Sequence, residues 1–150
     1  MVVIVILGIL SATAVPKFID LSSDARIGTL EGMKAALESG TSLIHTKAII
    51  ENKTQGVDVI RIDGKRVRLN AGYPIGHWDG SMRYIANLDN VKSVFNTRRV
   101  CKVDWCGRGN QNALPSGITT SSPVIIGKVY PKGYSFQDQC GVYYINYRDG

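Results

Sequence analysis

The stretch MVVIVILGILSATAVPKF at residues 1–18 decides how this sequence is interpreted, because it contains no charge before Lys17. Residues 1–15 are mostly apolar, which is unusual for the start of a soluble domain. At 1.5 Å per residue this run would form a helix about 23 Å long, whereas a bilayer core of about 30 Å needs about 20 residues. The run as it stands is too short to span a bilayer comfortably.

The same run has features of a secretory signal peptide. Its length suits the apolar region of a signal, and Ala12 and Ala14 form an Ala-x-Ala pattern that resembles a cleavage site. However, no basic residue precedes the run, and the helical pattern continues well beyond Ala14. We therefore favour a helix that continues into the rest of the chain.

The next part of the chain has the period of an amphipathic helix. From Ser22 onward, apolar residues recur every three, four or seven positions and define one stripe: Ile27, Leu30, Met33, Leu37, Ile44 and Ala48. Pro16 interrupts the helix because it lacks an N–H, and Gly8 adds flexibility. The sequence predicts one long helix from residue 1 to about residue 50, kinked or locally melted between Gly8 and Pro16.

After residue 56 the period changes to that of β-strands. The segment VIRIDGKRVRL (residues 59–69) alternates on both sides of Asp63–Gly64, a strong type I′ hairpin signal. Residues 82–91 have helical spacing, and CGRGNQ (residues 106–111) is interpreted as a polar, glycine-rich loop. With two more strands near the end, the predicted fold class is α+β. The C-terminal half of the long helix would pack on an antiparallel sheet of about four strands.

Composition places the chain among globular proteins of one-domain size. It has 150 residues, of which 44% are hydrophobic and 20% charged, so the composition predicts a folded chain instead of wholesale disorder. The net charge of +6 permits weak attraction to nucleic acid, membrane headgroups or acidic polysaccharides. The basic residues are dispersed except for Lys65, Arg66 and Arg68. We interpret these as the solvated face of a hairpin, so no specific nucleic-acid partner is predicted.

Three cysteines lie in the last third of the chain, at Cys101, Cys106 and Cys140. This clustering is typical of a disulfide-bonded region formed in an oxidising compartment, and the odd number leaves one cysteine without a partner in the chain. The residues leave two pairings open, Cys101 with Cys106 or Cys106 with Cys140. A zinc site is disfavoured, because His45 and His77 lack ligand-like spacing to a cysteine.

No catalytic constellation stands out in the sequence. His45 falls on the long helix and is interpreted as a half-buried or interfacial side chain. His77, Trp78 and Asp79 could together bind a sugar ring by stacking, although a structural role for the tryptophan is favoured. CGRGNQ lacks the lysine of a phosphate-binding loop, and no G-x-S-x-G motif occurs. The sequence predicts a protein that is not an enzyme and that uses no cofactor or metal.

These features together resemble the type IV pilins. The segment VVIVILGILSATAVPKF, followed by an amphipathic helix and a small antiparallel sheet, is similar to the start of that family. DLSSDARIGTLEGMKAALESG (residues 20–40) is most similar to its mannose-sensitive haemagglutinin branch. The resemblance is close over residues 1–50 and looser afterwards, where it rests on Gly72–Pro74 and on the cysteines near the end.

The resemblance implies the type IV pilin fold, with residues 1–21 as a protruding apolar helix and residues 22–150 as a globular head. The head would include the amphipathic half of the helix. The apolar helix would lie in the membrane or in the filament core through these side chains: Val2, Val3, Ile4, Val5, Ile6, Leu7, Ile9 and Leu10. Family precursors also carry a basic leader, an N-methylated phenylalanine and a nearby glutamate, which are expected to precede Met1.

The function implied by the resemblance is that of a structural subunit. Identical subunits would assemble into a helical pilus for surface attachment, with motility or biofilm formation as further roles. Implied partners are other copies, the inner-membrane assembly machinery and a surface receptor or glycan. The subunit would reside in the inner membrane and then in the extracellular pilus. The alternative is a pseudopilin of a type II secretion system. Such proteins often bind calcium in a loop, but YSFQDQC (residues 134–140) carries a single carboxylate, Asp138.

The resemblance also bears on the cysteines. Family pilins commonly close an outer loop with a cysteine very near the chain end, so a fourth cysteine is expected beyond Gly150. It would leave Cys101–Cys106 as the internal disulfide, with Cys140 unpaired or paired outside this chain.

Overall fold

The computed structural model describes residues 2–86 and 88–147; side chains are described from Ser23 onward, with the exception of Asp89. The chain divides into two compact units, residues 1–33 and residues 34–150. Within the first unit, the described residues are helical throughout. The second unit holds the remaining helical residues and the described strands.

One long α-helix and two small sheets make up the described fold. Helix α1 is Val2–Ile50. The first sheet is antiparallel, in the order β1-β2-β3, with strands Val57–Ile62, Lys65–Asn70 and Tyr73–Pro74. The second has the order β4-β5-β6-β7, with strands Lys92–Ser93, Trp105–Gln111, Val124–Pro131 and Val142–Tyr147. Two 3₁₀ turns, Met82–Tyr84 and Leu88–Asn90, lie between the sheets in the sequence.

The α+β class and the long helix are as predicted, but the prediction of a single antiparallel sheet of about four strands is wrong. The hairpin β1–β2 continues into β3 instead of joining the later strands. Ala71 and Gly72 adopt positive φ angles of 51° and 79°, which reverse the chain directly after β2. The four-stranded sheet is mixed, since the short β4 runs parallel to β5.

The local signals in the hairpin are confirmed. Asp63 and Gly64 both have positive φ angles, 49° and 77°, as a type I′ turn requires. The register pairs Ile60 with Val67, and both side chains are buried. The alternation of apolar and charged residues therefore places one face of the hairpin in the core.

Two segments differ from their predicted structure. Residues 82–91 form two separate 3₁₀ turns instead of a helix, in a stretch rich in Asn and Asp, which favour turns over helix interiors. The predicted loop CGRGNQ instead forms most of strand β5. A Cβ at Gly107 would overlap the Trp78 ring, and one at Gly109 would overlap the Trp78 backbone nitrogen. These glycines serve close packing of a strand, which a loop would not require.

Helix α1 packs through one face of its last turns. Leu37, Gly40, Ile44 and Ala48 are buried and lie three, four and four residues apart. The predicted apolar stripe is thus buried from Leu37 onward. A Cβ at Gly40 would overlap the carbonyl of Ile85, so the helix reaches this position only because the side chain is absent.

Two hydrogen bonds join the sheets. The side-chain amide of Asn70, in β2, donates to the carbonyl of Tyr147, in β7, at 2.5 Å. The hydroxyl of Tyr144 donates to the carbonyl of Pro74, in β3, at 2.6 Å. Burial raises the pKa of Tyr144, so this hydroxyl stays protonated and remains a donor over the ordinary pH range.

We expect Gly107→Ala to destabilise the protein by at least about 1–3 kcal/mol, because the added methyl group would force the buried Trp78 ring from its position. Thermal unfolding of the full chain in detergent, followed by circular dichroism, measures the change. Gly32→Ala is the matched control: its Cβ would meet nothing within 4 Å, and alanine favours helix. Equal melting temperatures for the two variants would contradict this packing.

Candidate functional site

The residues predicted to form the filament core belong to helix α1, but their side chains lie outside the described residues. This applies to residues 2–10 and to Pro16. Their backbone is part of the helix Val2–Ile50. The distortion expected between Gly8 and Pro16 in an assembled filament therefore stays a prediction.

Cys101 and Cys106 form a disulfide with Cα atoms 5.7 Å apart, and Cys140 is free. The sequence left two pairings open, Cys101 with Cys106 and Cys106 with Cys140, and the structure has the former. Both half-cystines are buried in a cluster with Tyr130 and Phe136. The disulfide therefore ties β5 to the segment before it inside the fold.

The connection between β6 and β7, residues 132–141, is anchored next to this disulfide, and we call it the outer loop. The Cys101 N–H donates to the carbonyl of Tyr134 at 2.8 Å. The Gly133 N–H donates to the carbonyl of Cys101 at 2.9 Å. These two backbone bonds fix the start of the outer loop against the cysteine cluster.

A buried lysine holds the rest of the outer loop. Lys128 lies in the middle of β6 and is fully buried. Its ammonium group donates to the carbonyls of Phe136 (3.1 Å) and Asp138 and lies 4.8 Å from the centre of the Tyr143 ring. Burial lowers the pKa of Lys128 to about 8, although the charges of Asp138 and Cys140 oppose the shift. The loop backbone thus follows a path that supplies acceptors to a buried amine.

Asp138 fixes the shape of the outer loop itself. Its carboxylate accepts hydrogen bonds from the N–H (2.6 Å) and the hydroxyl (2.8 Å) of Ser135. These bonds hold the pKa of Asp138 below its ordinary value. A side chain that closes a turn on its neighbours in this way gives the loop an ordered local structure.

An open cleft of about 400 Å³ lies beside the outer loop. None of the described residues that line it is charged, although the chain as a whole carries a net charge of +6. Its polar and aromatic lining includes Gln111, Ser116, Phe136, Gln137, Gln139 and Tyr143. Amide groups both donate and accept hydrogen bonds, so this lining suits a neutral polar ligand.

A smaller cleft of about 170 Å³ contains the predicted residues His77 and Asp79 together with Arg108. Trp78 also lines this cleft but is only 4% exposed, because its ring packs against β5. That position fits the structural role favoured from the sequence and leaves little of the ring for stacking. The His77 ring is fixed as well, since its Nδ1 accepts a hydrogen bond from the Gly80 N–H at 3.2 Å.

His45 joins helix α1 to the first sheet. Its ring stacks on Tyr73 with the ring centroids 3.9 Å apart and an angle of 7° between the planes. Its Nδ1 lies 3.1 Å from the carbonyl oxygen of Gly72. The side chain is half-buried, as the sequence led us to expect, and its contacts are structural.

Sequence reasoning missed Lys128, the side chain that organises the outer loop. Its one signal in the sequence is its position as a single charge within the apolar strand VIIGKVYP (residues 124–131). A charge at such a position must find acceptors inside the fold. Those acceptors come from a loop eight to ten residues later, which the strand pattern does not reveal.

No known protein family, curated protein or solved structure matches the chain. Within the described residues there is no group of three or more histidine, cysteine or acidic side chains that could hold a metal ion. The part of the chain that the structure describes also contains no helix both long and apolar enough to cross a membrane.

We expect the stability of the protein to rise between pH 8 and pH 9.5, because the pKa of Lys128 is about 8 in the folded state and 10.5 ordinarily. Between these values the unfolded chain binds more protons than the folded one, so raising the pH favours folding, by at most about 1.4 kcal/mol per pH unit. Urea unfolding at pH 7.5, 8.5 and 9.5 measures the slope.

Lys128→Met should remove this rise, whereas Lys132→Met, at an exposed position of the same loop, should retain it. The same slope in both variants would show that Lys128 is not the group responsible.

Proposed function

We propose that this chain is a structural subunit that assembles with identical copies into a type IV pilus filament and mediates attachment of the cell to surfaces. The observation that carries the proposal is the uncharged, mostly apolar run of residues 1–15 at the start of the long helix Val2–Ile50. The last turns of that helix are packed in the unit of residues 34–150. The N-terminal end of this helix is thus apolar, and its C-terminal end packs within a folded head.

The apolar run supplies the energy for assembly. Burying ten large apolar side chains yields about 15–30 kcal/mol per subunit, before the cost of ordering them. In the inner membrane, lipid would cover these side chains. In the filament, the same helices of neighbouring subunits would replace the lipid, so a filament without covalent links between subunits would still be strong.

The outer loop and the larger cleft beside it are the surfaces that we assign to attachment. The loop is fixed by the ammonium group of Lys128, by the Asp138 turn and by the nearby disulfide. A preorganised loop binds a receptor or glycan at lower entropic cost than a flexible one. The uncharged cleft of about 400 Å³ lies next to it.

A pseudopilin of a type II secretion system remains the alternative, since it shares the N-terminal helix. Such proteins often hold calcium in a loop. In the outer loop of this chain, the carbonyls of Phe136 and Asp138 already accept hydrogen bonds from the Lys128 ammonium. A cation supplied by the chain itself supports the pilus subunit over the calcium-dependent alternative.

We expect Leu10→Asp to abolish filament formation, because an unpaired charge among packed apolar helices costs several kcal/mol in each subunit. Electron microscopy of sheared surface fibres, with mass spectrometry of the subunit, tests this outcome. Leu10→Met is the matched control, since it retains an apolar side chain of similar volume. Filaments of normal length from Leu10→Asp would refute the proposal for this helix, and Ile6→Asp provides a second position.

A further inference from the structure

The β1–β2 hairpin places two like charges directly opposite each other. Arg61 and Arg66 are cross-strand partners, and Arg68 stands opposite Val59, the next pair on the same face. All three arginines are exposed. Like charges in a directly opposed pair destabilise a hairpin. Among the described interactions of the three guanidinium groups, one weak hydrogen bond partly offsets this repulsion: Arg61 Nη1 donates to the carbonyl of Gly64 at 3.3 Å.

Two carboxylates near the hairpin are engaged by a lysine outside the arginine pair. Glu51 and Asp58 pair with Lys53, at 3.1 Å and 3.8 Å. Asp63 lies in the hairpin turn and forms no ion pair with any described residue. The three arginines likewise form none within the described part of the chain. Their repulsion is therefore not offset by a described carboxylate of this chain.

The same face of the hairpin also exposes apolar surface. Side chains alternate along each strand, so this face is the one opposite to buried Ile60 and Val67. Val57 on this face is 71% exposed. We call this surface the arginine face, and it consists of Val57, Val59, Arg61, Arg66 and Arg68.

A second exposed surface carries the opposite charge. Asp24, Ile27 and Glu31 lie three and four residues apart on helix α1, so they share one face of it. Ile27 is 52% exposed, and the carboxylates of Asp24 and Glu31 form no ion pair with a described residue. One turn later, Lys34 is already paired with Glu38 at 3.7 Å. We call Asp24, Ile27 and Glu31 the acidic ridge.

We infer that the arginine face of one subunit docks on the acidic ridge of a second copy of this chain. Each surface has an exposed apolar residue beside charges of one sign, and the two signs are opposite. Guanidinium groups bind carboxylates with two parallel hydrogen bonds, which gives such a contact a defined geometry. The two surfaces are different, so the contact is head-to-tail and can repeat along a filament. This inference rests on the proposed self-assembly.

A polyanion such as nucleic acid or an acidic polysaccharide is the other partner that three arginines could attract. None of the five residues of the arginine face is aromatic, and Tyr73, which the register places on the same side of the sheet, already stacks on His45. Stacking on aromatic side chains is a main source of affinity for single-stranded nucleic acid. The exposed side chain of Val57 would also gain nothing from contact with a polyanion. A protein partner uses both the charge and the apolar surface, because arginine is enriched and apolar contact is central in protein interfaces.

Disulfide trapping in assembled filaments tests the contact directly. The full chain would carry Cys140→Ser, to remove the free thiol, together with Arg66→Cys and Glu31→Cys. Mild oxidation should link each subunit to the next and produce a ladder of covalent oligomers on a non-reducing gel. Arg66→Cys alone should give no ladder. Lys132→Cys with Glu31→Cys is the matched control for random collision, since Lys132 is equally exposed but lies outside the arginine face.

Charge reversal provides a second measurement. Arg61→Glu with Arg66→Glu should lower the yield of filaments about tenfold or more, through like-charge repulsion against the acidic ridge. Adding Asp24→Arg and Glu31→Arg to the same chain should restore the yield. Circular dichroism of each chain verifies that the head remains folded.

The outcomes separate the contact from the proposed function. A ladder together with rescue by the double reversal supports the inference. Filaments that form normally, without a ladder and without an effect of charge reversal, overturn it and leave the pilus proposal standing. Lack of any filament from the unsubstituted chain overturns both. Binding to alginate or double-stranded DNA that depends on Arg61 and Arg66, with assembly unchanged, assigns the arginine face to a polyanion and overturns the inference.

Discussion

Close approach at glycine is the constraint on which the unit of residues 34–150 depends. Helix α1 meets the carbonyl of Ile85 at Gly40, and the ring of Trp78 lies on β5 at Gly107. Neither contact leaves room for a methyl group. The helix therefore packs on Ile85, and the Trp78 ring on the second sheet, only because Gly40 and Gly107 lack side chains. The smaller cleft, which Trp78 and Gly109 both line, lies beside the second of these contacts.

The parts of the fold that were predicted correctly have local causes. The hairpin register follows from the backbone angles that Asp63 and Gly64 adopt, and the buried helix face from the spacing of Leu37, Ile44 and Ala48. The sheet arrangement and the nature of β5 were not predictable in this way. They depend on contacts between distant residues, above all on Trp78, and the glycines of β5 taken alone resemble a loop.

The candidate site likewise has one part that the sequence could predict and one part that it could not. The short separation of Cys101 and Cys106 made their disulfide one of two geometrically acceptable pairings. The role of Lys128 could not be derived, because its acceptors are backbone carbonyls, which carry no sequence signal. The likeness of the first 50 residues to type IV pilins came from sequence patterns, and the described fold is compatible with it through the long helix and the α+β class.

The short disulfide has a mechanical consequence. It links residues only five positions apart, so it removes almost nothing from the length to which the chain can be drawn out. Within the described residues no covalent cross-link spans β6 and β7, which are retained by their backbone ladder and by the Lys128 contacts. Each residue pulled free adds about 3.5 Å. Under tension, the described chain after Cys106 would therefore extend without the breaking of any covalent cross-link within the described residues.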